Sequence, residues 1–147
     1  MVARSRQQRI ADVLEKLATE DDLWVASANA VGDTHLIPLS FDWDGTHLII
    51  ATLAKSRTRR NLQRAGIARV ALGPTRDVVM LEGPVAIITS DDFESTRADA
   101  HAQRAGFDPR QEPEAYVYLQ VTPRIIQAWR AVDELADRVV MRDGHWL

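Results

Sequence analysis

Cysteine is absent from all 147 residues. That excludes disulfides, thiolate metal ligands and cysteine nucleophiles, and leaves the compartment open, with the cytosol as the expectation. Long apolar runs are absent too. None approaches the roughly 20 residues that a membrane-spanning helix needs, so no membrane contact is expected. The opening stretch MVARSRQQRIADVLEKLATED has basic residues but no continuous apolar segment, and does not read as a secretory signal. An excess of positive charge is missing as well. Eighteen Lys and Arg against 21 Asp and Glu leave a formal charge of −3, the wrong sign for a general nucleic-acid binder. There is no G-x-G-x-x-G loop, no Walker A sequence and no G-x-S-x-G elbow. His35, His47, His101 and His145 form no pair at metal-ligand spacing, so no metal is expected. Ser27, Ser40 and Ser90 carry no sign of activation. No repeat, low-complexity segment or interdomain linker interrupts the chain, which reads as one domain over residues 1–147.

What is present is a series of short alternating segments. Ser5 to Thr19 reads as a helix, with Ser5 and Gln8 forming a capping box and Ile10, Val13, Leu14 and Leu17 one apolar stripe. Leu23 to Ala30 reads as a buried strand, followed by a turn at Val31-Gly32-Asp33. His35 to Trp43 alternates, with Ile37, Leu39, Phe41 and Trp43 on one face and Pro38 marking an edge or a bulge. Asp44-Gly45 is the strongest hairpin signal, returning the chain as His47 to Thr52. Ser56 to Arg64 reads as a short helix stopped by Gly66. Ile67 to Leu72 and Val78 to Ile88 are strands, the second interrupted at Gly83-Pro84. Asp91 to Ala105 is a helix capped by Ser90 or Asp91 and stopped by Gly106; Asp91-Asp92 reads as its start rather than as a metal pair. Pro109 to Pro113 is a loop or single turn. Tyr116 to Val121 is a strand that Ile125 to Trp129 continues past Pro123, and Arg138 to Met141 is the last strand before a turn at Asp143-Gly144. This order does not alternate strand and helix, so a doubly wound sheet is not expected. A mainly β, α+β antiparallel barrel with peripheral helices fits the pattern.

One stretch departs from the acidic background. Ala51 to Leu62 reads ATLAKSRTRRNL, and Lys55, Arg57, Arg59, Arg60 and Arg64 place five basic residues in ten positions. Thr52, Ser56 and Thr58 add hydroxyls. Such a run is either a solvated helix face or a phosphate site, where helix N–H groups and guanidinium forks meet an anion. Trp24, Trp43, Trp129 and Trp146 are many tryptophans for this length. They serve as packing, or as a wall against a flat ring system.

HLIPLSFDWDGTHLIIAT, SRTRRNL and RDVVMLEGPV, closed by QAWRAVDELADRVVMRDGHW, resemble the pyridoxamine 5′-phosphate oxidase-like split-barrel flavoproteins. That superfamily includes the deazaflavin (F420)-dependent reductases. The resemblance covers about residues 20–90 and 115–147. It implies a split antiparallel β-barrel of the FMN-binding type, FMN or alternatively F420 as cofactor, hydride transfer with a small-molecule substrate, and a homodimer. It implies that Thr52, Ser56 and Arg57 bind the cofactor phosphate. Thr58 stands where the family often has lysine, and Arg59 or Arg60 would supply that charge. Ile37, Pro38, Leu39 and Ser40 would lie along the cofactor ring. Trp129 and Arg138, the latter matched with a one-residue gap, would reach the cofactor across the dimer. The residues that bind substrate phosphate in true pyridoxamine 5′-phosphate oxidases have no match here, so vitamin B6 is not the expected substrate. No residue reads as an obligatory catalytic acid or base. Two alternatives stand beside this reading: a module of the same fold that holds a flavin, haem or other tetrapyrrole without turnover, and a regulatory protein that meets acidic partners through its arginine helix.

Overall fold

The computed structural model describes residues 2–147. Six strands close on themselves: β1 (Asp22–Ala28), β2 (Thr34–Trp43), β3 (Leu48–Leu53), β4 (Ile67–Leu72), β5 (Val78–Thr89) and β6 (Tyr116–Val121). They lie in the order β4-β1-β2-β3-β6-β5, and pairing of β4 with β5 shuts the ring. Closure removes most of the exposed strand edge that an open sheet of this size would carry. Three shorter strands, β7 (Ile125–Trp129), β8 (Val139–Arg142) and β9 (His145–Trp146), extend the sheet from β5. Helices α1 (Arg6–Thr19), α2 (Arg57–Ala65) and α3 (Ser95–Ala105) pack outside, with 3₁₀ turns at Pro109–Gln111 and Val132–Asp137. This is the mainly β antiparallel barrel with peripheral helices that the sequence pattern implies, and the split barrel that the resemblance implies.

β5 organises the barrel. Its Val78–Glu82 half pairs with β7 and its Val85–Thr89 half with β6. β7 therefore continues β6 along one side of β5, as expected. The anticipated interruption at Gly83-Pro84 is not a break: β5 runs on to Thr89, and the Gly-Pro pair is where it changes partner. Thr122 and Arg124 bridge the change, their N–H groups donating to the carbonyls of Pro84 (3.0 Å) and Glu82 (2.8 Å). β2 pairs with β1 without a bulge from Thr34 to Ser40, and meets β3 only from Phe41 onward. Pro38 thus lies on a half-edge, where a missing N–H is tolerated.

Alternation fills the interior with Leu23, Val25, Phe41, Leu48, Ile50, Val70, Leu72, Leu81 and Leu119, all buried. α1 seals one end with Val13 and Leu17. Its stripe is narrower than expected, since Leu14 is 41% exposed while Arg9 is buried in the apolar zone. Only half of the capping box forms. Ser5 Oγ accepts from the Gln8 N–H, but the Gln8 amide donates to Asp12 rather than back to Ser5. α3 begins at Ser95, later than expected, and neither Ser90 nor Asp91 caps it. The N–H groups of Asp92 and Phe93 both turn back to the Thr89 carbonyl. That turn tucks Phe93 against Tyr118, with ring centroids 4.3 Å apart.

Beneath α3, His101 is fully buried against Phe107 and Tyr118, and neither ring nitrogen has a partner among the described residues. Burial pushes its pKa below the ordinary 6.5, against the pull of Asp42 and Asp108. The folded state therefore binds this proton less readily than the unfolded chain. The stability at stake is complete above pH 6.5 and is lost as the pH falls below it. His101→Leu is expected to flatten that acid limb, read as a smaller drop in urea midpoint between pH 7 and pH 5 than in the parent. An equal drop in both proteins would assign the acid loss elsewhere.

Candidate functional site: the β3–α2 turn and its groove

β3 delivers a buried hydroxyl to a helix start. Thr52 is nearly the last residue of the strand, and Ser56 caps α2 by accepting from the Arg59 N–H at 3.0 Å. Thr52 Oγ1 donates to Ser56 Oγ at 3.1 Å. The Ser56 oxygen thus receives two protons, and its own is left to donate outward. The N–H groups of Arg57 and Thr58, in the first turn of α2, have no intrahelical acceptor. The Arg57 side chain is exposed and makes no hydrogen bond or ion pair among the described residues. One hydroxyl proton, two helix N–H groups and one free guanidinium thus gather at a single turn, at the positive end of the helix dipole, a donor set whose chemistry suits an anion.

The other arginines are occupied. Arg59 donates from Nε to the Ala54 carbonyl (2.7 Å) and from Nη1 to Gln63 (2.6 Å). Arg60 donates to the Lys55 carbonyl, and Arg64 to the Ala28 carbonyl on β1. Arg59 also faces a different groove, shared with Leu62, Val85 and Ile87. The expected replacement of the family's lysine by Arg59 or Arg60 is therefore not what the geometry favours; both brace the turn itself. Thr58 needs a firmer correction. Its side chain is fully buried and its Oγ1 is unpartnered, so the residue can offer a ligand only its backbone N–H.

Beside the turn lies a groove of about 420 Å³. Ile37, Pro38, Leu39 and Ser40 line one side, on the half-edge of β2, and Thr52 and Ser56 line the other. The fold thus brings six of the candidate residues to one cavity. The half-edge leaves main-chain groups of β2 unpaired by any strand on that side, which suits the polar rim of a flat heterocycle. Besides Leu53, which follows Thr52 directly, three further lining residues went unsuspected in the sequence. Asp22 accepts from Ser40 Oγ at 3.0 Å. Phe107 and Tyr116, with ring centroids 5.9 Å apart, add an aromatic wall. No local signal marks Phe107 or Asp22; barrel closure carries them in. Trp129 and Arg138 lie elsewhere. The Arg138 guanidinium sits 5.9 Å from the Trp129 ring centroid and its Nε donates to Gln127. The fold brings these two residues to each other and not to the groove of their own chain. Among the described residues no group of three or more His, Asp or Glu is placed to hold a metal ion. No described helix is long and apolar enough to cross a membrane.

No protein-family profile matches the chain, and no curated protein sequence does. Solved structures do. An F420 reductase superposes with a TM-score of 0.63 at 16% identity, over 76% of this chain and 93% of its own. A pyridoxamine 5′-phosphate oxidase-related, FMN-binding protein from Nostoc punctiforme gives 0.60 at 16% identity, over 92% and 87%. General stress protein 26 from Bacillus anthracis gives 0.58 at 16% identity, over 84% and 92%. At such identities the shared property is the fold. This chain has the pyridoxamine 5′-phosphate oxidase-like split-barrel fold.

Proposed function

We propose that the chain binds FMN in the groove between β2 and the β3–α2 turn, and acts as an FMN-dependent oxidoreductase on a small molecule. The observation that carries this reading is the turn itself. The outward proton of Ser56, the N–H groups of Arg57 and Thr58 and the unpaired Arg57 guanidinium suit a terminal phosphate, next to a groove bordered by unpaired β2 backbone. Thr52, Ser56 and Arg57 would hold the phosphate, while Ile37 to Ser40, Phe107 and Tyr116 would flank the ring. Bound FMN would supply reversible hydride acceptance; the protein's part is binding and orientation. F420 is the second reading. Lys55, exposed beside Arg57, would suit its acidic tail, and one neighbour in fold is an F420 reductase. FMN is favoured because Arg59 and Arg60 are committed to the turn rather than free for an extended anion.

Titration of the apo-protein with FMN and F420 side by side tests the proposal. Arg57→Ala is expected to weaken FMN binding by about 1.5–3 kcal/mol, the scale of a charge-assisted hydrogen bond. Arg57 is exposed and unpaired, so its loss leaves the fold intact. An unchanged dissociation constant would sink the phosphate assignment.

The reading includes a two-fold homodimer. Trp24 (49% exposed), Leu36 (61%) and Ile67 (50%) project outward from β1, β2 and β4. A second copy would cover them, and would let Trp129 and Arg138 reach the partner's groove. Sedimentation and FMN titration on the same Trp129→Phe sample check this. The dimer is expected to persist while affinity falls or the flavin spectrum shifts. Dissociation, or parental binding and turnover, would remove Trp129 from the pocket.

A further inference from the structure

A second groove, of about 440 Å³, opens at the other end of β2, where the β2–β3 hairpin meets the β6–β7 crossing and the β8–β9 hairpin. Trp43 and Trp146 line it together with Met141, Pro123, Thr46 and Arg124. None of these residues belongs to the groove at the β3–α2 turn. The size is within the range of small-molecule sites. The walls are unlike an ordinary surface crevice. Two indoles and a buried thioether are among the lining groups. Arg124 supplies the only full positive charge among the lining side chains.

The Arg124 main chain is held in place, while its side chain is exposed. Its N–H donates to the Glu82 carbonyl at 2.8 Å, and its carbonyl accepts from the Gly144 N–H at 2.9 Å. The backbone is thus tied to β5 on one side and to the β8–β9 turn on the other. Its guanidinium has no carboxylate within ion-pair distance among the described residues. Of the nearby acids, Asp44 pairs with His47 and Arg97, while Asp143 lines the rim and pairs with no cation among the described residues. A planar, unpaired fork beside two indoles suits a flat carboxylate: the fork can take both oxygens and the indoles the ring.

We infer that this groove is a second ligand site, for an aromatic carboxylate of one or two fused rings. The inference does not depend on FMN binding at the β3–α2 turn. 2-Naphthoate is the probe, titrated calorimetrically into the full chain, with 2-naphthalenemethanol as its uncharged counterpart. Saturable binding at one site per chain is expected, with the alcohol binding at least about tenfold more weakly. Arg124→Gln should cost about the same factor, since it removes the fork from an exposed side chain without disturbing packing. Trp146→Leu should also weaken binding, and Arg57→Gln, at the other groove, should not. Absence of saturable binding would overturn the site, as would parental affinity in Arg124→Gln. Loss of affinity in Arg57→Gln would place the probe in the other groove and overturn it equally.

Discussion

Gly83→Ala is expected to destabilise the protein by about 3 kcal/mol or more, at or beyond the top of the usual range for overpacking that forces backbone to move. A Cβ at this position would lie 1.9 Å from the Thr122 carbonyl oxygen, 2.7 Å from its carbon and 3.0 Å from Pro123 Cα. All three are main-chain atoms, so no side-chain rotation relieves the clash. The crossing would have to lift from β5, and the hydrogen bonds from Thr122 to Pro84 and from Arg124 to Glu82 hold it down. Gly32 is the control. It sits in an exposed turn at φ +88°, with nothing within 4 Å of a built Cβ. Gly32→Ala meets only left-handed backbone strain, about 1–2 kcal/mol. Urea unfolding of both variants measures the contrast. A Gly83→Ala protein no less stable than Gly32→Ala would show that the crossing is looser than described. The consequence reaches function, because the same crossing positions Arg124 and leads into the strand that ends at Trp129.

Gly83 also shows where the sequence stops being legible. The Gly-Pro pair announces an irregularity, but its cause, a second segment crossing at van der Waals distance, lies almost forty residues away. Where the determinant is local, the reading is close. Ile67–Leu72, Tyr116–Val121 and Ile125–Trp129 begin and end as alternation and breakers predict. Gly66 and Gly106 end their helices in the left-handed conformation, at φ 73° and 80°. Ser56 caps α2 as its residue type suggests. Where a distant partner decides, the reading fails. Asp91 looks like a helix start, but the Thr89 carbonyl captures the next N–H groups and Phe93 is drawn onto Tyr118.

The candidate site divides the same way. Its β2 and β3–α2 parts are contiguous motifs, and the fold places them around one groove. Asp22, Phe107 and Tyr116 join only through closure of the barrel. Thr58 was readable after all. It is one turn before Leu62 and three residues before Asn61, and all three face inward. Helical spacing alone puts its hydroxyl on the wrong side for a solvent-borne phosphate.

The charged belt beneath α1 was invisible in the sequence for the same reason, and it carries the other large effect. Glu134 is 3% exposed and receives four donors on two oxygens. Oε2 accepts from the Arg4 N–H (2.8 Å) and Arg4 Nε (3.0 Å); Oε1 accepts from Arg4 Nη2 (2.7 Å) and the Arg130 N–H (2.8 Å). Arg4 and Glu134 are 130 residues apart, so no local pattern could reveal them. Arg4 reaches on to Asp12 at 2.8 Å, and Lys16 and Arg130 hold Asp77. The belt fastens the N-terminal segment to the 3₁₀ turn at Val132–Asp137. Glu134→Gln keeps the shape but turns an NH₂ group toward two of those donors, and it leaves the largely buried Arg4 with less compensation. The expected cost is about 3 kcal/mol, the scale for removing one partner of a buried pair. Acid should act on the same group. Hydrogen bonds from Arg4 lower the Glu134 pKa from 4.5 to about 2. A depressed carboxylate pKa contributes stability that is complete above 4.5 and is lost as the pH falls toward 2. The parent should therefore lose stability steeply across that window. Glu134→Gln should start lower and lose less, with the remaining slope coming from Asp12 and Asp77, whose pKa values are also lowered. Denaturant midpoints at pH 7, 4.5 and 3 separate the two effects. A variant as stable as the parent at pH 7, or one with an unchanged acid slope, would show that the N-terminal segment is not held by this carboxylate.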